Sequence, residues 1–245
     1  MVHGAPDYGI YAPKTTITAL EDLAEAVVRL GGVVTFDRAG DVIYLDDYEA
    51  PIEKFEDNSS ILGSSVLDTT VAMSGAQSVL FTTGANDGDY ASIRHILAPL
   101  GLGRQGIKVS ASLYEMVDYD SNYEIKVTHY SGTHLSTFGV RIYPFSKKLE
   151  YINAAGNWTP FETALNFGTF LTSSWHHIKL VVDLDTSKYV KLLIDGLSWD
   201  MSTYSFRKTG NPATPYLQVN FEIYNYTDDV LTCWQDDFVY TINEP

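Results

Sequence analysis

Two carboxylates held roughly 5–10 Å apart can cleave a glycosidic bond, so the acidic residues are the first to place. Glu115 and Asp118 are spaced wrongly for one face of a strand, and Glu222 stands alone on its segment. Asp46/Asp47 and Asp236/Asp237 are adjacent pairs, and adjacent residues on a strand point to opposite faces. No catalytic carboxylate couple is therefore expected. Ser173, Ser174, His176 and His177 lie close in sequence, but no Gly-x-Ser-x-Gly elbow accompanies them. His176 and His177 face opposite ways on a strand and cannot share one ion, so one packed and one solvent-facing histidine is expected. Cys233 is the single cysteine, which excludes an internal disulfide and any multi-cysteine metal site. Three sequons, at Asn58, Asn157 and Asn225, are matches of the kind that arise by chance.

The elements that must position these residues are mostly strands. The chain has 245 residues, 45% hydrophobic and only 19% charged, enough for one sizeable core. Residues 1–17 form a Gly/Pro/Tyr-rich arm. Thr18 and Glu21 make a capping box for one helix, with Leu20, Leu23, Ala24, Val27 and Leu30 at helical spacing and Gly31-Gly32 as its stop. That apolar stripe has two candidate partners, the chain's own sandwich or another subunit. Val33–Phe36 and Asp41–Leu45 around a Gly-containing turn read as a hairpin. Arm, helix and hairpin make a unit over residues 1–45, with anchoring as its expected role.

From Asp46 to Pro245 about a dozen strands succeed one another with no interleaved helix. Ile107, Val109, Ala111 and Leu113 share one face; so do Tyr123, Ile125 and Val127, and likewise Phe138, Val140 and Ile142. Ile178–Leu184, Val190–Ile194 and Leu217–Ile223 alternate in the same way. Such a series predicts an all-β, two-sheet sandwich over 46–245 rather than βαβ units. The net charge of −15 repels phosphate backbones and anionic lipid, so no nucleic-acid partner and no membrane insertion are expected. Met1–Asp7 has neither a basic n-region nor an apolar h-region, so the chain is expected to fold in a reducing cytoplasm.

Two stretches carry a family resemblance. Trp175–Asp183 followed by Lys188–Gly196 resembles the Trp-His strand, Asp turn and Asp-Gly-ending strand of laminin-G and concanavalin A-like domains. Leu45–Glu49, paired with Gln235–Val239, resembles the first and last strands of jelly-roll carbohydrate-binding modules. The resemblance implies a concanavalin A-like jelly roll. It also implies a structural Ca2+ between first and last strands, with Asp47, Glu49 and Asp237 at the corresponding positions; the alternative is that these acids are solvated or cap turns. The Glu-x-Asp-x-x-Glu strand motif of laminarinase-type enzymes of this fold is absent, which implies a non-catalytic protein. Sugar-binding faces of this fold use aromatic platforms, and Tyr123, Tyr130, Tyr143, Tyr151 and Trp158 are the candidates here, with core or interface packing as the alternative. Trp175, Trp199 and Trp234 are expected in the core.

The layout as a whole is similar to virion-associated proteins of tailed bacteriophages: an arm and helix, then one glucanase-like sandwich. That likeness implies a capsid-decoration or head-surface protein, located in the virion and assembled in the host cytoplasm. Its expected partners are a major capsid protein, other copies of itself (a trimer first), and cell-surface polysaccharide. Leu20, Leu23, Val27 and Leu30 are the expected partner-binding residues. A carbohydrate-binding module or lectin is the alternative, and a glycoside hydrolase with an unrecognised site is the second.

Overall fold

The computed structural model describes residues 40–50, 54–98, 101, 103–113, 116, 120–165, 175–211 and 214–245. Within them the chain is all β, in two antiparallel sheets that stack as a sandwich. The first sheet contains β1 (Asp41–Asp46), β3 (Ser64–Asp68), β4 (Ser78–Thr82), β6 (Arg104–Ser112), β11 (His176–Asp183), β12 (Lys188–Ile194), β13 (Leu197–Asp200) and β16 (Thr232–Ile242). Its order is β13-β12-β11-β6-β16-β4-β3. β16 pairs with β6 along one edge; along the other, its first half pairs with β4 and its second half with β1. The two halves meet at a register shift between Asp236 and Val239, where Asp237 takes a positive φ of 57°.

The second sheet contains β2 (Glu56–Asp57), β5 (Tyr90–Leu97), β7 (Ser121–Tyr130), β8 (His134–Tyr143), β9 (Lys148–Ile152), β10 (Trp158–Glu162), β14 (Arg207–Gly210) and β15 (Tyr216–Asn225). Its order is β10-β9-β8-β7-β15-β5-β2, with β14 paired to the first half of β8.

The expected alternation generates the core. Val109 and Ala111 of β6, Ile178 and Leu180 of β11, Ile125 and Val127 of β7, Val140 of β8 and Phe221 of β15 all turn inward and are fully buried. Burying each of these side chains other than Ala111 stabilises by about 1.5–3 kcal/mol. The interior also holds a buried polar chain. The Tyr123 hydroxyl donates to Gln235 Oε1 at 2.6 Å, and Gln235 Nε2 donates to the Tyr48 hydroxyl at 2.6 Å. Tyr189 stitches the sheets from within, its hydroxyl donating to the Ile152 carbonyl at 2.9 Å and accepting from the Gly139 N–H at 3.1 Å. A filled interior of this kind places any binding surface on an outer face or among loops.

Several expectations are adjusted. β1, expected as the second strand of a hairpin within residues 1–45, is hydrogen-bonded to β16 and so belongs to the sandwich. Leu20, Leu23, Val27 and Leu30, with the rest of the arm and helix, lie outside the described residues. β10, β13 and β14 are short strands that alternation does not disclose, because each carries too few apolar residues for a period-two signal. Trp199 packs against the core as expected, whereas Trp234 faces outward and donates from Nε1 to Asp68 Oδ2 at 2.8 Å. His176 is the packed histidine, hydrogen-bonded through Nδ1 to Asp195 of the Asp-Gly turn, and half-buried His177 contacts Ser110 Oγ at 3.0 Å.

Candidate functional site

The outer face of the second sheet carries a grouping of aromatic and charged side chains. Register sorts them into rows that run across the strands. One row is polar: Ser92 of β5 pairs with Glu222 of β15, Glu222 with Glu124 of β7, Glu124 with Arg141 of β8, and Arg141 with Glu150 of β9. Two residues along, Tyr90 pairs with Tyr224 and Tyr224 with Asn122, while Tyr143 pairs with Lys148. Two residues the other way, Arg94 pairs with Asn220, Asn220 with Lys126, and Lys126 with Gly139.

The aromatic row is continuous. Tyr90 stacks with Tyr224 at a centroid distance of 6.5 Å and an interplanar angle of 3°; Tyr224 meets Tyr226 at 4.6 Å, and Tyr226 stacks with Tyr143 at 6.4 Å. Lys148 Nζ sits 3.9 Å from the Tyr143 ring centroid, and the Arg141 guanidinium lies 4.2 Å from that of Trp158 on β10. Both are cation–π distances. From β5 to β10 the face crosses five inter-strand steps, about 24 Å at ~4.8 Å each. That length suits an extended chain better than a single small molecule.

Hydrogen bonds lock the polar row. Arg141 Nε donates to Glu124 Oε2 at 2.7 Å. Glu150 receives the Tyr143 hydroxyl at 3.1 Å and the Lys148 ammonium at 2.9 Å. Arg94 pairs with Glu56 across β2. Glu124 is only 3% exposed, and Ser92 and Asn122 are fully buried although both sit on the outward side of their strands. Burial lifts the Glu222 carboxyl to about 7, the neighbouring charge of Glu124 adding to the rise while Lys126 and Arg141 pull against both. Glu222 thus carries its proton part of the time at neutral pH.

Two polar atoms of the face are left over. Among the described residues Ser92 Oγ and Asn122 Oδ1 are buried with no hydrogen-bond partner, although Asn122 Nδ2 donates to the Tyr226 hydroxyl at 3.1 Å. Buried acceptors are ordinarily satisfied, and these two flank Glu222 on neighbouring strands. Gly139 leaves β8 without a side chain beside Lys126; any Cβ there would lie 2.4 Å from the Ile125 carbonyl oxygen, so only glycine fits.

Of the five aromatics expected to line a sugar face, Tyr130, Tyr143 and Trp158 do lie on this one. Tyr130 stacks on Tyr216 at 4.4 Å, toward the far end of the strands from Tyr143. Tyr123 does not: it is fully buried between the sheets and committed to Gln235. Tyr151 also turns inward, against Tyr189, Tyr204 and Phe161. Each shares its strand face with core residues, Tyr123 with Ile125 and Tyr151 with Leu149, so period two takes both away from the outside.

The expected calcium ligands are brought near the β16 bulge, where each accepts hydrogen bonds from the protein. Glu49 Oε1 accepts the backbone N–H groups of Ala76 and Gln77 at 2.8 and 2.9 Å. Asp237 Oδ1 accepts the Ser74 hydroxyl at 3.0 Å, and Asp47 Oδ1 accepts the Glu49 N–H at 3.3 Å. Asp236, not Asp237, takes the N–H groups of Met73 and Ser74, each at 3.0 Å. Among the described residues no three His, Cys, Asp or Glu side chains form a metal-holding group. Glu49, Asp236 and Asp237 tie the 73–77 loop to the bulge region, and Asp47 caps the turn at Glu49.

Solved structures share this architecture. The chain is similar to the cellulose-induced protein Cip1, with TM-score 0.53 and 19% identity over 81% of this chain and 97% of that one. It is also similar to an endo-β-1,4-glucuronan lyase from the fungus Trichoderma reesei, with TM-score 0.52 and 11% identity over 82% and 91%. A Bacillus licheniformis β-glucanase aligns at TM-score 0.46 and 12% identity over 82% and 98%. At these identities the likeness is one of fold: a jelly-roll β-sandwich of the concanavalin A-like kind. No protein-family model matches the chain, and no curated protein matches it in sequence.

Proposed function

We propose that this protein binds polysaccharide across the outer face of its second sheet. The observation that carries the proposal is the continuous Tyr90–Tyr224–Tyr226–Tyr143 row, extended to Trp158 through Arg141. The half-buried Tyr90, Tyr224, Tyr226 and Trp158 rings offer apolar area to the C–H faces of sugar rings, with buried Tyr143 backing them, while the adjacent polar row offers donors and acceptors to hydroxyl groups. The jelly roll shared with Cip1 and the glucuronan lyase agrees with this reading at the level of fold.

The ligand class follows from charge. Glu222, Glu124 and Glu150 occupy the polar row, and the whole chain carries −15. On the face itself Arg94, Lys126, Arg141 and Lys148 offset these carboxylates, while the charge of the whole chain disfavours a polyanionic glycan at long range, so the ligand we infer is a neutral, extended polysaccharide. A capsid-decoration role draws on the segment before Gly40, outside the described residues, and gains no support from the fold comparisons.

Native-gel affinity electrophoresis in gels cast with mixed-linkage β-glucan, xylan or galactomannan tests this. Retardation by at least one polymer is expected, weakened about tenfold in Trp158→Ala and Tyr224→Ala, as truncation of a central aromatic contact typically gives. Unretarded migration in all three gels would refute it.

A further inference from the structure

We propose that Glu222 and Glu124 form the catalytic couple of a retaining glycoside hydrolase, cutting the bound neutral polysaccharide where it crosses from β15 to β7. This rests on the polysaccharide-binding reading above and adds bond cleavage to it.

The geometry comes from register. Glu222 and Glu124 are direct cross-strand partners in an antiparallel pair, and both point away from the core. Directly opposed residues hold their Cβ atoms about 4.5–5.5 Å apart. Retaining glycosidases place their two carboxyl groups about 5–5.5 Å apart, whereas inverting ones need roughly 6.5–9.5 Å to admit a water between them. Side chains rooted this close and running parallel suit the shorter separation.

The surroundings divide the roles. Glu124 accepts the Arg141 Nε hydrogen bond at 2.7 Å, which fixes its carboxylate and leaves Oε1 clear of that contact. It is the nucleophile. Glu222 is the acid: buried beside the Glu124 charge, its carboxyl is pushed up to about 7, as a general acid working near neutral pH requires. The groups facing Glu222 are Glu124 and Lys126 from β7, Ser92, Tyr90 and Arg94 from β5, Asn220 and Tyr224 from its own strand, and Arg141 beyond Glu124. Lys126 and Arg141 keep the proton affinity from rising higher.

The reaction runs in two steps. Glu222 gives its proton to the glycosidic oxygen as the bond from that oxygen to the anomeric carbon breaks. Glu124 bonds to the same carbon, forming a glycosyl ester and releasing the leaving chain as an alcohol. Water then attacks the anomeric carbon and yields a proton to the Glu222 carboxylate. The ester bond breaks, its electron pair returns to Glu124, and both side chains regain their starting states. One water is consumed, and two inversions give net retention.

The test uses the full chain with the same three polymers. Reducing ends are assayed over time, and the anomeric configuration of new ends is read by proton NMR before mutarotation. Release of ends with retained configuration is expected, lowered at least 100-fold in Glu222→Gln and in Glu124→Gln, while both variants keep the wild-type far-ultraviolet circular dichroism and are still retarded by the polymer that retards the wild type. Polymer bound without any release of ends would overturn the catalytic proposal and leave binding standing. Cleavage at the wild-type rate in folded Glu222→Gln, or with inversion, would overturn it too. Absence of both binding and cleavage would remove both readings.

Discussion

Replacing Glu222 by Gln should stabilise the protein, and by more as pH rises. The Glu222 carboxyl stands at about 7 in the folded chain against an ordinary 4.5, first through burial and then through the charge of Glu124. The folded state therefore holds this proton to higher pH than the unfolded chain does. Unfolding releases it between pH 4.5 and 7, so stability falls as pH rises through that window. Glu222's contribution is fully present below about pH 4.5 and fully lost above about pH 7. At about 1.4 kcal/mol per tenfold change in proton affinity, the loss is about 3 kcal/mol. Gln is neutral throughout and escapes it. Asp236, also raised to about 7 and chiefly by burial, contributes a similar slope to both proteins and cancels in the comparison. Urea unfolding followed by tryptophan fluorescence at pH 5, 6, 7 and 8 gives the two stability curves. They should start close at pH 5 and separate by up to about 3 kcal/mol at pH 8. Parallel curves would show that Glu222 is not buried against a like charge, and would undo the electrostatic description of the face.

Three further changes are informative. Tyr189→Phe removes the hydroxyl that serves Gly139 and Ile152, stranding buried backbone groups at about 1–3 kcal/mol; chemical denaturation would read this as a lower midpoint with an unchanged slope. Gly139→Ala drives a Cβ to 2.4 Å from the Ile125 carbonyl oxygen, and a cost of about 1–3 kcal/mol from overpacking should lower the melting temperature by several degrees. Asp236→Ala leaves the Met73 and Ser74 N–H groups without their acceptor, so faster amide exchange confined to the 73–77 loop and the β16 bulge is expected.

The sandwich is legible in the sequence because its signal is local. Ile107, Val109 and Ala111, or Leu217, Val219 and Phe221, announce an inward face within five residues. The same alternation holds the information that Tyr123 and Tyr151 point inward, beside Ile125 and Leu149, and that Tyr143 points outward past Ile142. Strand pairing is the missing quantity. Glu222 stands alone on β15 by sequence, and its partner Glu124 lies on β7, a strand separated from it by the length of β8 through β14. Neither strand's own residues encode which carboxylate the other will bring. The stacked Tyr90–Tyr224 and Tyr226–Tyr143 contacts are hidden for the same reason. The acids near β16 are recognisable as a group, but the hydrogen bonds of Asp236 and Asp237 to the 73–77 loop are not, because that loop lies more than 150 positions away.

Backbone amide NMR during titration with a neutral β-glucan oligosaccharide tests the polysaccharide-binding face most directly. Shifts should cluster on β5, β15, β7 and β8 around Tyr224, Glu222, Asn122 and Tyr143, and need about tenfold more sugar in Trp158→Ala and Tyr224→Ala. Shifts centred on β6, β11 and β16 of the opposite sheet, or none at saturating sugar, would contradict it.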